Sequence, residues 1–501
     1  MEMKSLVTAW IGSLVIHAIL LTLFLFVTIN VGSATVPMET EVIQTLVDEK
    51  KDFNLTNDDE GLNPDQLLNY DVGRVAEYSV PGPVNPTEAI GIKDAPEGAM
   101  VNVPPPAGLG GNEGQSGGLD ALKPGLANPF GFAGGMRGLN VPGGFGGRSG
   151  ATRERLVEEG GGNSKSEAAV AAGLKWLIMH QAPDGHWSLD GFNQHGRCNC
   201  TGFGHQNDIA ATALGLLPLL AAGETQKNPK ALYGKNVGNA LKYLLSKQAR
   251  DGNFGGGMYA HGLASIAMCE AYGMTADLTL KGSAQRALYY IRAGQSENGG
   301  WRYEPRQSGD TSVTGWQVMA LKSGQMAGLE VDDPKNPTFA KATKFLNSVS
   351  TSDGSGYGYL GPGPSPTMSA VGLLCRLYLG TGPRNSGIIG GVNGLKHTPP
   401  GALNSIYYYY YATQVLYHFG GPDWDAWNPK MRDLLIAKQD KGSDPKKLHQ
   451  KGSWSQAGDA HGGAGGRLMT TSLSLLTLEV YYRHLPLYQR NLGGDKAVAA
   501  N

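Results

Sequence analysis

Two textures of apolar sequence alternate between residues 166 and 485. One is amphipathic: in 233–248, Ala240, Leu241, Tyr243, Leu244 and Leu245 interleave with Lys242 and Lys247. Apolar residues spaced three and four apart share one helix face. The other texture is small and apolar nearly all round, as in Ala210-Ala211-Thr212-Ala213-Leu214-Gly215-Leu216-Leu217. A helix apolar on every face is buried. The first kind predicts helices over 166–181, 233–248, 280–295, 337–350, 386–397 and 427–439. The second predicts 208–221, 261–273, 311–323, 367–379, 406–419 and 468–484. Six outer and six inner helices in strict alternation predict an all-α fold, a closed (α/α)6 toroid over 166–485.

Upstream the pattern changes twice. Residues 5–36 contain no Asp, Glu, Lys or Arg and are mostly apolar, while a spanning helix needs about 20 such residues. This predicts residues 1–37 to be a cytoplasmic tip and a signal-anchor helix, the alternative being a signal peptide cleaved near Gly32-Ser33-Ala34. Lys4 lies before the span and Glu39 and Glu41 after it. That places the chain in the inner membrane, single-pass, with its C-terminal domain extracytoplasmic. Ser13 and His17 share one face of the span and resemble the anchor helix of TonB-type proteins, although an interfacial His explains them too. Residues 38–165 read as linker. Residues 39–60 carry eight acids against two lysines, and nine of the twenty residues 131–150 are Gly. Such a stretch buries too little apolar surface to offset its ordering entropy. Residues 486–501 read as a tail.

Within the helical region a frame recurs. Gln181-Ala-Pro-Asp184-Gly185-His-Trp187 returns as Gln248 to Phe254 and as Gln295 to Trp301. Ser350-Thr-Ser-Asp353-Gly354 is a worn copy and Gly452-Ser-Trp454 a last fragment. The Gln-x-x-x-Gly-x-Trp frame resembles the repeat of squalene-hopene cyclases and protein prenyltransferase β subunits. The resemblance implies an α/α toroid, in agreement with the helix count. The frame's own work is structural: the amide bonds backbone at helix ends, the aromatic stacks on that amide, and the Gly permits the turn.

The chemistry those families use is not repeated here. Cyclases carry Asp-x-Asp-Asp at an inner-helix start, and no such run occurs between 166 and 501; Asp332-Asp333 falls in a loop. Prenyltransferases set an Asp and a Cys two apart around zinc, whereas Asp310-Thr311-Ser312 has no Cys. The nearest substitutes are Asp310 and Asp208 just before inner helices, with Asp459 and His461 before the sixth. Each Asp is equally an N-cap, and Asp184, Asp251 and Asp353 are turn residues. Tyr407 to Tyr411 and Trp316 are aromatics that a cation-stabilising cavity would use, or packing residues with satisfied hydroxyls.

His195, Cys198, Cys200 and His205 form a candidate zinc set in one loop, the rivals being a disulfide and free thiols. Cys269 and Cys375 fall inside inner helices as packing residues. A formal charge of -1 argues against nucleic acid as a partner. The 74 glycines follow no Gly-X-Y period and exclude collagen. Three classes remain: a toroid binding a lipid, glycan or protein in its central cavity, a divergent terpenoid or isoprenoid enzyme, and a glycan-cleaving toroid with paired carboxylates.

Overall fold

A computed structural model describes residues 143–485 and 487. The predicted anchor at 5–36, with Ser13 and His17, most of the linker, and the tail lie outside the described residues. Among the described residues no helix is long and apolar enough to cross a membrane.

Helix α1 is Gly150–Gly160, α2 is Ser164–Met179 and α3 a single turn at Phe192–His195. There follow α4 (Asp208–Ala221), α5 (Gly234–Lys247), α6 (Gly257–Thr275), α7 (Leu278–Ala293) and α8 (Thr311–Met326). Next come α9 (Thr338–Val349), α10 (Pro366–Tyr378), α11 (Ser386–Lys396), α12 (Ile406–Phe419) and α13 (Gly421–Lys438). The last are α14 (Gly462–Leu478) and α15 (Val480–Arg483). Among the described residues there is no strand, only isolated bridges such as Trp301 with Asp310.

Packing closes the circle. Helix α4 packs on α6, α6 on α8, α8 on α10, α10 on α12 and α12 on α14, and α14 returns to α4. The outer helices α2, α5, α7, α9, α11 and α13 lie against this inner ring, and α13 meets α2 where first and last repeats join. The inner helices are buried on nearly every face, all of α4 after Asp208 included. Small residues allow the close approach: a Cβ on Gly215 would strike the Trp187 indole.

The repeat frame holds neighbouring units together. Gln181 donates to the carbonyls of Gly185 (2.8 Å) and of Asn236 on the next outer helix (3.0 Å). Gln248 bonds Gly252 and Ser283 in the same way, and Gln295 bonds Gly299 and Thr338. Gln439 completes the series, donating to Gly452 (2.9 Å) and to Ala169 of the first outer helix (2.7 Å). The frame glycines adopt positive φ, 97° at Gly185 and 90° at Gly299. A Cβ on either would run into the next outer helix, at Asn239 and Lys341 respectively.

The aromatic of each frame is pinned by its own donors. The indoles of Trp187, Trp301 and Trp454 donate to the carbonyls of Leu177, Ile291 and Leu435. The backbone N–H of each frame aromatic donates to a side chain on the following inner helix: Thr212, His261, Thr314, Ser369 and Thr471. Tyr357 is thereby identified as the aromatic of the fourth, worn copy.

Among the described residues, 143–165 precede the predicted toroid boundary at 166 and include α1. Residues 143–162 cross the end of the ring where inner helices finish. Arg153 donates to the Ala222 carbonyl (3.0 Å) just past α4, where the helix macrodipole favours a cation. Deeper in, Arg148 and Arg483 both grip Glu270 of α6, at 2.8 and 3.1 Å. All three are almost fully buried. Burial pushes the Glu270 carboxyl up, but the two guanidinium groups outweigh it and hold the group below its ordinary range. Arg483 also donates to the Tyr410 hydroxyl (3.0 Å) and Arg148 to the Arg483 carbonyl (3.2 Å). This end of the ring is plugged.

Candidate functional site

The six loops that lead into the inner helices lie at the opposite end, so residues 198–207, 255–256, 301–310, 357–365, 398–405 and 455–461 surround one mouth. They are stitched together there. Asn207 donates to the Gly256 carbonyl (3.1 Å), Met258 N to Tyr303 O (2.8 Å), Thr311 N to Tyr359 O (3.0 Å), and His205 N to Ala464 O (2.8 Å). Phe203, Tyr303 and Leu360 are exposed around it, at 44%, 50% and 57%.

Asp310 sits below the rim with no exposed surface. Its Oδ1 accepts from Val313 N at 2.8 Å, which makes it the N-cap of α8. Its Oδ2 accepts from the Tyr359 hydroxyl at 3.1 Å and lies 3.7 Å from Arg302 Nε. Burial pushes the carboxyl above its ordinary range, against the opposing pull of the Val313 amide, Tyr359 and Arg302. Tyr359 is held in turn by Tyr303, hydroxyl to hydroxyl at 3.1 Å.

His461 belongs to the same neighbourhood. Its ring lies 5.0 Å from that of Tyr407, whose hydroxyl meets Ser312 Oγ at 2.8 Å, two residues past Asp310. Asp459, beside His461, gives one oxygen to Ile406 N (2.7 Å) and the other to His461 N (2.9 Å), so it is spent on helix starts.

Asp208 stands apart. It is the first residue of α4, and the cap is Asn207, whose Oδ1 accepts from Ala210 N at 3.0 Å. Its charge faces His195 and Tyr243 instead. Asp310 and His461 are therefore linked indirectly, through Ser312 and Tyr407, and Asp208 is not part of that chain.

Below the rim the ring is filled. Trp316 of α8 stacks on Tyr410 of α12 at 5.7 Å and meets Tyr407, Tyr411 and Tyr259 edge-on. Helices α8 and α12 are separated around the ring by α10, so these contacts cross its middle. The five tyrosines divide the work. Tyr408 donates to the Thr398 carbonyl (2.8 Å), Tyr409 accepts from the amides of Gly401 (2.7 Å) and Leu403 (3.1 Å), and Tyr410 accepts from Arg483. The hydroxyls of Tyr407 to Tyr410 have partners, as packing residues require, whereas the buried Tyr411 hydroxyl has none among the described residues. The interior where the sequence led us to expect a ligand cavity holds the protein's own side chains.

The cysteine loop differs from its sequence reading. Cys198 and Cys200 meet His180, at the end of α2, and not His195 or His205. His195 is turned by α3 towards His186, ring centroids 4.9 Å apart. His205 is exposed, its backbone tied to Ala464. The four cysteines are free thiols, and Cys269 and Cys375 are buried packing residues as expected. Burial pushes the Cys200 thiol up to about 12, and burial likewise pulls His180 down to about 4.

No family model and no curated relative matches the sequence. Solved structures with a similar arrangement include a type II terpene cyclase from Scytonema, MstE, in complex with merosterolic acid A. It is 14% identical, covering 63% of this chain and 96% of that one, with a TM-score of 0.42. An α-1,6-mannanase from Salegentibacter, GH76A, is 11% identical over 63% of this chain and 98% of that one, TM-score 0.45. An α-amylase from Clostridium perfringens is 11% identical over the same shares, TM-score 0.46. The likeness is one of overall helical arrangement.

Proposed function

We propose that the chain is a membrane-tethered, extracytoplasmic toroid that binds a ligand or protein partner at the mouth ringed by Phe203, Tyr303 and Leu360. The observation that carries this reading is the state of Asp310 and of the space below it. An acid that protonates an alkene must present its proton to substrate, yet both Asp310 oxygens already accept hydrogen bonds from the protein. The space a cyclising chain would need is taken by Trp316 and its tyrosine partners. Glycan cleavage calls for a second free carboxylate at a fixed separation, and Asp459 is bound to two backbone amides. Exposed aromatic and aliphatic side chains over a polar floor suit recognition of an apolar or ring-bearing ligand such as a lipid, a glycan or an aromatic peptide. The tether rests on the uncharged stretch 5–36 and on Lys4 before it.

The test uses full-length protein extracted from its membrane, with bound small molecules and proteins identified by mass spectrometry. Tyr303→Ala combined with Phe203→Ala should keep the wild-type Tm and lose the recovered species. Unchanged recovery would rule out the mouth. A new product that disappears in Asp310→Asn would make the protein an enzyme instead.

A further inference from the structure

The meeting of His180 with the Cys198-Asn199-Cys200 loop goes beyond the mouth and carries its own chemistry. The three ligand atoms lie within 4.8 Å of one another, His180 and Cys200 buried and Cys198 half-buried. His180 Nε2 is 3.2 Å from Cys198 Sγ. Around a tetrahedral zinc with Zn–S of about 2.3 Å and Zn–N of about 2.0 Å, neighbouring ligand atoms sit about 3.5 Å apart. His180 Nε2 and Cys198 Sγ are already close to that spacing, and the Cys200 thiol lies within 4.8 Å of both.

Their surroundings aim them. His180 Nδ1 lies 2.7 Å from the Trp176 carbonyl. A carbonyl only accepts, so Nδ1 carries the proton and the Nε2 lone pair is directed at Cys198, the arrangement a metal-binding imidazole needs. Cys200 N donates to Cys198 Sγ at 3.4 Å. Arg197, just before the first cysteine, is held at a φ of 48°. A non-glycine residue in that region is strained and persists where its surroundings impose it; here it turns Cys198 back towards α2.

Gly196 is the second independent sign. Its φ is an ordinary -73°, so backbone freedom does not require glycine there. A Cβ at this position would lie 2.8 Å from His180 Nε2 and 3.3 Å from Cys198 Sγ. The missing side chain leaves room beside the ligand atoms. Arg467, buried and bound to the Thr201 carbonyl at 2.9 Å, supplies a positive charge next to the loop that suits thiolates.

We infer that His180, Cys198 and Cys200 bind one zinc ion, fastening the end of α2 to the loop that forms the Phe203 side of the mouth. Two thiolates balance the ion's charge, so the largely buried site is neutral when filled. Binding converts Zn2+ and two thiols to a zinc dithiolate with release of two protons. Three protein ligands leave the fourth tetrahedral position to water or to an incoming ligand.

The test is made on the full-length chain, purified under reducing conditions, stripped with a chelator and titrated with zinc or cobalt(II). The expected results are about one zinc per chain, a Tm raised by the metal, and a cobalt spectrum with a thiolate-to-cobalt band and tetrahedral d–d bands. Cys198→Ser and His180→Ala should abolish the spectrum, and Cys269→Ser, in the core away from the loop, should leave it intact. Gly196→Ala keeps all three ligands and should weaken zinc by about tenfold or more; it serves if the ligand variants fail to fold. Absence of metal uptake by the reduced chain overturns the assignment. So does an unchanged cobalt spectrum in Cys198→Ser, copper in place of zinc in the purified protein, or thiol titration showing Cys198 and Cys200 joined as a disulfide in protein purified without reductant.

Discussion

Replacing Asp310 by Asn and by Ala separates its three contacts. Asp310→Ala removes the cap on Val313 N, worth about 1–2 kcal/mol, and the acceptor for the Tyr359 hydroxyl, worth about 1 kcal/mol. The sum, about 2–3 kcal/mol, should lower Tm by about 3–4 °C in a domain of this size. Asp310→Asn keeps the oxygen that caps α8. Its amide nitrogen can donate to the Tyr359 oxygen while that phenol turns its proton to Tyr303, 3.1 Å away. What Asn forfeits is the 3.7 Å contact with Arg302, itself about one-third exposed and worth less than about 1 kcal/mol. What it gains is release from burying a charge. The expected change for Asn is therefore within about 1 kcal/mol of zero. The sign with pH follows from the raised folded-state pKa. Such an acid contributes stability below the unfolded carboxylate range and loses it as pH rises through the folded value. Wild type should thus compare better with Asp310→Asn at pH 4 than at pH 7. Calorimetry at the two pH values reads both effects. An Asn variant as damaged as the Ala variant at pH 7 would refute the capping account and make the charge itself essential.

Three further outcomes follow from the repeat frame. Gln439→Ala strips two buried carbonyls of their donor and should cost about 2–3 kcal/mol in urea denaturation, matching Gln295→Ala to within about 1 kcal/mol; separate unfolding of the first and last repeats would show that the ring is not closed by this residue. Gly299→Ala places a Cβ against Lys341 at a φ of 90° and should cost about 2–4 kcal/mol, a loss under 1 kcal/mol counting against the packing argument. Burial holds His261 at about 4, below its ordinary value, with Nε2 3.1 Å from the Ala287 carbonyl and Nδ1 accepting from Phe254 N. Its contribution, up to about 3 kcal/mol, is present above pH 6.5 and is lost as pH falls towards 4, so His261→Gln should flatten the acid side of a stability-against-pH curve.

The ring was legible where local sequence decides local structure. Helices α4 and α12 begin and end where predicted because runs apolar on all faces have sharp edges, marked by the capping side chains of Asn207 and Ser405. Helix α6 starts at Gly257, four residues early, because Gly255-Gly256-Gly257 reads as turn although the last of them opens the helix. Helix α1 falls in the stretch that reads as linker because its glycine-flanked, charged sequence has no apolar stripe; its long-range partners include Tyr482, 329 residues from Arg153. Gly452 follows Gln439 by thirteen positions where the other copies have four, and this insertion of nine residues hid the sixth copy's Gln. In the cysteine loop, local spacing favoured His195 and His205, whereas His180 caps the C-terminus of α2, eighteen residues from Cys198. The Nδ1 bond to Trp176 that makes it a ligand has no signature in sequence. The role of Asp310 was readable as far as its cap; that Tyr359 takes the other oxygen was not.

The plug of Arg148, Glu270 and Arg483 also sets an order of events during synthesis. Arg148 leaves the ribosome first but touches Arg483, 335 residues later. At roughly 5–20 residues per second, that wait lasts on the order of 20–70 s. Until it ends, Glu270 lacks one of its two guanidinium partners. A chain truncated in its last repeat would never acquire that partner. The buried acid would then be under-neutralised at the centre of the ring, a defect that costs several kcal/mol. The axis of the ring therefore depends on both ends of the described fold, and Arg483 can lock Arg148 in place only after 335 further residues have been made.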